Sequence, residues 1–142
     1  MRLVIDTNVL VAALLHPGRT PDRALSRALA AATLLLDERI EAEYREVLAR
    51  PKFASIPAPR RDALLGALLR AAEGVAAEPA SDPMTDEHDR VFVEVARGGR
   101  ADALVTGNAR HFPPGLGLCV LTPAELLARL DDQQIRERTN AS

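Results

Sequence analysis

Short, largely apolar runs recur along this chain at Leu3-Val4-Ile5, Thr33 to Leu36, Ala103 to Thr106 and Leu118 to Leu121, with segments of helical period between them. A strand that is apolar on both faces belongs to a sheet covered on both faces. Strand and helix in alternation predict a parallel sheet between two helical layers, and this rules out most other architectures. The expected fold is therefore α/β, a three-layer α/β/α sandwich around a central, mainly parallel sheet.

Punctuation supplies the boundaries. The segment Val9 to Leu15 reads as a helix stopped by Pro17-Gly18, and Pro21 opens a second helix with Ala24, Leu25, Ala28 and Leu29 on one face. Asp37 caps a helix from Glu38 to about Arg50, which Pro51 ends. A leucine stripe predicts a helix from Arg60 to Ala72, and Val75 to Ala77 reads as a short strand. After a polar loop, Glu78 to Thr85, comes a helix from about Asp86 to Arg97, stopped by Gly98-Gly99. Thr122 caps a closing helix that starts at Pro123 and is expected to end near Leu130. One domain over residues 1–131 is expected, with a polar tail, 132–142, too poor in apolar residues to fold.

Charge and cysteine content narrow the function classes. The net charge of −2 carries no global signature of nucleic-acid binding, so any polyanion must be met locally. Cys119 is the single cysteine, which excludes an intrachain disulfide and reads as a small core residue. The start of the chain lacks the order of a signal peptide and no apolar run reaches membrane-span length, so the cytoplasm is the expected compartment, with no membrane partner.

Three acids fall where acids are costly. Asp6 closes the first strand as the chain turns into a helix, the position at which open α/β sheets bind ligands; taken alone it reads equally well as a helix N-cap. In the helix after Asp37, residues Ile40, Tyr44, Val47 and Leu48 define the buried face, and Glu43 lies on it, whereas Glu41 and Glu46 point away. In the helix after Asp86, Asp89 precedes Phe92 by one turn on the core stripe, or else complements the helix dipole. Two carboxylates about 4 Å apart repel by roughly 4 kcal/mol at an effective dielectric of about 20. A hard divalent cation, Mg²⁺ or Mn²⁺, would relieve such a cluster. Asn108 follows the strand Ala103 to Thr106 at the same sheet edge as Asp6, while Asp102 starts that strand, roughly 20 Å away, and reads as a surface or capping acid.

These residues resemble a PIN domain, and within that superfamily the toxin-like group related to VapC ribonucleases. The matching segments are Ile5 to Leu10, Glu43 to Phe53 with its Arg50-Pro51-Lys52-Phe53 end, Asp86 to Ala96, and Leu104 to Pro113. The resemblance implies a Mg²⁺- or Mn²⁺-dependent endoribonuclease, the toxin of a toxin-antitoxin pair. Asp6, Glu43 and Asp89 would be its metal ligands and, with Asn108, its catalytic set. Many members carry a further Asp where this chain has Asn108. An RNA substrate, a protein antitoxin and a homodimer come with the same resemblance.

Arg110, Lys52 and Arg19, with Arg23, Arg50 and His111 nearby, are the candidate phosphate contacts. Thr7 and Thr106 are expected to orient water or phosphate, and Asn8 to pin the turn after the first strand. The alternative is a non-catalytic PIN-like module that binds RNA or protein. A phosphotransfer domain fits less well, because Asn8 replaces a second Asp and Lys52 is the single lysine.

Overall fold

The computed structural model describes residues 1–141. Among them, five strands form one sheet in the order β3-β2-β1-β4-β5: β1 (Arg2–Ile5), β2 (Thr33–Leu36), β3 (Ala72–Gly74), β4 (Ala103–Val105) and β5 (Val120–Leu121). Every neighbouring pair is parallel. The helices are α1 (Thr7–Leu15), α2 (Thr20–Ala31), α3 (Glu38–Leu48), α4 (Ala58–Ala71), α5 (Arg90–Gly98) and α6 (Pro123–Ala141). They make the expected three-layer sandwich. Short 3-10 turns stand at Pro51–Phe53, Glu87–Asp89 and Ala109–His111.

The central strands explain the apolar runs. Leu3, Val4 and Ile5 of β1, and Ala103, Leu104 and Val105 of β4, are buried on both sheet faces, and Leu3 stands in register with both Leu34 and Ala103. From β1 the chain moves through β2 to one edge of the sheet, then returns to build β4 and β5 on the other side of β1. The order of connection therefore reverses between β1 and β4. In parallel sheets the crevice beyond the carboxyl ends of such a pair is where ligands bind.

Two of the helix caps fall where the residue types require. Asp37 accepts hydrogen bonds from the backbone N–H groups of Arg39 and Ile40, both at 3.0 Å. Thr122 and Glu125 exchange hydrogen bonds reciprocally, as in a capping box, to start α6. Asp102, expected to be a surface or capping acid, accepts the N–H of Arg2, the first residue of β1, at 2.7 Å.

Three expectations are corrected. The edge strand is Ala72–Gly74 rather than Val75 to Ala77, because backbone register against Leu34 to Leu36 selects it and an edge strand needs no apolar side chains. Cys119 precedes the last strand, which is Val120–Leu121, and is only partly buried against the core. The closing helix continues past Leu130 to Ala141, crossing the boundary expected at residue 132. Its inner face ends at Leu130, and the added turns are exposed. Arg27 ties them down by donating to Asp131 at 2.5 Å and to Gln134 at 3.3 Å, and the Thr139 hydroxyl donates to the Ile135 carbonyl. The last residue of that expected tail, Ser142, lies outside the described residues.

Candidate metal centre

Asp6 ends β1 with its backbone N–H on the Val105 carbonyl at 2.9 Å, so the β1–β4 pairing itself carries the side chain to the switch point. Asp6 occupies the N-cap position of α1, yet its side chain makes no cap hydrogen bond. Its carboxylate instead accepts the Thr106 hydroxyl at 2.8 Å. The side chain is buried, and burial raises its pKa against the pull of that hydroxyl and of the Asn8 and Thr7 amides. The carboxylate lies toward the first amides of α1 without a well-formed cap hydrogen bond to them, so helix capping alone does not account for this acid.

Glu43 reaches the same place from α3. It accepts a hydrogen bond from the Thr7 hydroxyl, and burial followed by the charge of Asp6 raises its pKa. Glu41 and Glu46, on the outer face of that helix, pair loosely with Arg45 and Arg50 at 3.5 and 3.8 Å. The neighbouring Tyr44 is buried and donates its hydroxyl to the Ile5 carbonyl, next to Asp6 in the chain. Burial holds the Tyr44 phenol far above its usual range, so it remains a neutral donor.

Asp89 comes from the turn that opens α5. Its side chain is 13% exposed, and its Oδ2 is buried with no hydrogen-bond partner. His111 Nδ1 stands 3.8 Å from that oxygen, beyond hydrogen-bond range. Burial, then the charges of Asp6 and Asp86, push the Asp89 pKa up to about 6, and Glu43 adds to the rise. Asp6, Glu43 and Asp89 thus lie within one another's field. Asp86 does not join them as a free acid, because it accepts from the backbone N–H and the ring of His88.

The arrangement favours a hard cation. Among the described residues no three His, Cys, Asp or Glu side chains form a ready-made ligand cage. Mg²⁺ needs none, since it keeps several waters and takes one or two carboxylates. Mutually repelling oxygen donors, one of them buried without a partner, are the donor set such an ion completes.

The hydroxyls are assigned differently from expectation. Thr7 and Thr106 direct their single protons at Glu43 and Asp6, so they orient carboxylates rather than water or phosphate. Thr106 also accepts from the Asn108 N–H at 3.0 Å and the Asn8 amide at 3.3 Å, while Asn8 accepts the Gly107 N–H at 3.0 Å and so pins the two turns together. Asn108 is exposed at the rim.

The basic candidates separate. Arg110 is exposed in the turn directly after Asn108. Lys52 and Arg50 line a groove of about 330 Å³ that Asn8 also borders. Arg19 lies at the start of α2 and outside that groove. Arg23 borders a different hollow, with Asp22 and Leu127.

Two residues escaped the reading of the sequence. Tyr44 looked like one more core residue, although a hydroxyl in an apolar stripe signals a buried acceptor. Glu94 interrupts the apolar run Phe92 to Ala96 of α5 and is buried, which a stripe-based search for inward acids should have flagged. It is a clamp rather than a ligand: it accepts from Arg39 and from the Ala80 N–H, both at 2.8 Å, and Arg39 holds its pKa down. Partnered Glu94 and Asp89, whose Oδ2 has no hydrogen-bond partner, lie five residues apart and are shifted in opposite directions, which distinguishes a structural acid from a candidate ligand.

No described helix is long and apolar enough to cross a membrane. No curated protein matches the chain. Among solved structures, the chain is similar to one described as VapBC2 from Rickettsia felis bound to a DNA fragment from their promoter, with a TM-score of 0.57 and 17% identity over 86% of this chain and 98% of that one. At that identity the likeness concerns the fold. The family model for the PIN domain matches residues 2–110, which include Asp6, Glu43, Asp89 and Asn108. On that match, over most of its length, this chain belongs to the PIN domain family.

Proposed function

We propose that this protein is a Mg²⁺- or Mn²⁺-dependent endoribonuclease, the toxin of a toxin-antitoxin pair. The observation that carries the proposal is the buried, partnerless Asp89 oxygen, which lies within the field of Asp6 and Glu43 near the switch point between β1 and β4. PIN domains are in general nucleases that use divalent metal ions, which supports the same reading.

In this proposal Asp6, Glu43 and Asp89 hold the cation, directly or through its waters, and Asn108 offers a neutral amide oxygen at the rim. When bound, the cation supplies positive charge against the phosphate and an activated water. Thr106 and Thr7 keep two of the carboxylates in fixed rotamers, and Tyr44 anchors the end of β1 that carries Asp6. No side chain acts as a nucleophile. Arg110 and Lys52 guide the RNA backbone, and Arg19 extends the basic approach. The likeness to VapBC2 supports a protein antitoxin as partner, and a homodimer goes with the toxin role.

The test is cleavage of a structured RNA with Mg²⁺ or Mn²⁺ by the wild type and by Asp6→Asn. Metal-dependent cleavage that falls by at least about a hundredfold in the variant supports the proposal. RNA binding without cleavage under any metal would favour a non-catalytic PIN module instead.

A further inference from the structure

Beside the acidic centre, between the end of α1 and the turn Pro51–Phe53, lies the groove that Asn8 borders. Asn8 belongs to both places, because it also contacts Thr106, whose hydroxyl holds Asp6. The groove is apolar along Val11 and Leu15 and basic at His16, Arg50 and Lys52, with no carboxylate among the described residues that line it. Leu15 is 39% exposed, one of two large apolar side chains so open among the described residues.

Phe53 completes it. The chain has three Phe, one Tyr and no Trp. Tyr44, Phe92 and Phe112 are buried, which leaves Phe53 as the aromatic ring with surface to offer a ligand. The Lys52 ammonium stands 5.1 Å from the centroid of that ring.

We propose that this groove is a nucleoside subsite for single-stranded RNA, in which Phe53 and Leu15 hold a base flanking the cleaved phosphate while Lys52 and Arg50 take the adjoining phosphates. A base stacked on a ring outweighs an exposed cation–π contact, so the base displaces the ammonium. On its flexible stem the ammonium remains in reach of a phosphate. Lys52 and Arg50, the latter only loosely paired with Glu46 at 3.8 Å, stand in a lining without a carboxylate and select a polyanion over an apolar protein helix, which would use Leu15 and Val11 but not those charges. This inference rests on the ribonuclease reading for its substrate.

The experiment measures binding of a short fluorescein-labelled single-stranded RNA of mixed sequence to the full chain in EDTA, by fluorescence anisotropy. Phe53→Leu, which keeps an apolar side chain against the core, should weaken binding roughly tenfold, and the loss should disappear with an RNA lacking bases. Lys52→Gln should lower the slope of log affinity against log salt by about one. Irradiated RNA containing 4-thiouridine should crosslink within residues 50–53 of the wild type, a readout that needs no variant to fold. Unchanged affinity in both variants, or crosslinks confined to other segments, would overturn the subsite. So would a Phe53→Leu effect on an amphipathic peptide helix and not on RNA. If the wild type failed to cleave RNA with either metal while metal-free binding still depended on Phe53, the nuclease reading would fall and the subsite would stand.

Discussion

Asp89 Oδ2 is buried without a hydrogen-bond donor, and the charges of Asp6, Asp86 and Glu43 act against it, so the metal-free protein carries a charge it does not stabilise. The sign of the consequence follows from linkage. The folded pKa of about 6 lies above the ordinary 3.8, so between these values the folded state binds the proton more tightly than the unfolded state. Metal-free protein should therefore gain stability from Asp89 as pH falls from about 6 toward about 4, and lose it as pH rises through 6. Asp89→Asn should raise the melting temperature of the metal-free protein at pH 7 and flatten this part of the profile. Thermal melts in EDTA at several pH values read both, and an unchanged or lower melting temperature for the variant would count against the repulsion. Added Mg²⁺ should stabilise the wild type more at pH 7 than at pH 5, since protons compete for the same oxygens.

At the scale of elements, α3 serves β1. Tyr44 packs in the core and holds the last carbonyl of the strand before Asp6. Tyr44→Phe leaves that carbonyl short of a donor and should cost about 1 kcal/mol in urea unfolding, with a larger relative loss of metal affinity. An affinity loss no greater than the stability loss would limit Tyr44 to packing. The far end of α6 is the opposite case. No described side chain after Leu130 is buried, and the Arg27–Asp131 pair is exposed, so truncation after Leu130 should change stability by about 1 kcal/mol or less. Unfolding of the truncated chain would show that the last turns carry packing not evident from their exposure.

That helix also shows where a reading of the sequence stops short. Apolar period ends at Leu130, whereas what extends α6 is polar: Arg27, distant in sequence, reaches Asp131 and Gln134. The short edge strand Ala72–Gly74 was misplaced for a related reason, since backbone register against β2 set it and its side chains advertise nothing. The central strands were legible because burial on both faces forces continuous apolar runs, and the caps at Asp37 and Thr122 because their side chains have one local use.

At the scale of the molecule, parallel pairing of every strand puts all carboxyl ends on one edge, and the reversal of direction at β1 and β4 opens that edge. Asp6 and Thr106 arrive there at the ends of strands, Glu43 on a helix that covers the sheet and Asp89 on the turn that opens another. Acids placed on buried stripes were visible in the sequence as a cost awaiting an explanation. The roles of Thr7 and Thr106 were not, because a hydroxyl can serve a carboxylate, a water or a phosphate equally well and only the fold decides. Glu94 was passed over because its remedy, Arg39, sits on a different helix.

The measurement that bears most directly on the central claim is a calorimetric titration of the metal-free protein with Mn²⁺. Wild type should bind, and Asp6→Asn, Glu43→Gln and Asp89→Asn should each weaken binding by at least about tenfold while remaining folded. Folded variants that bind Mn²⁺ as tightly as wild type would contradict the account.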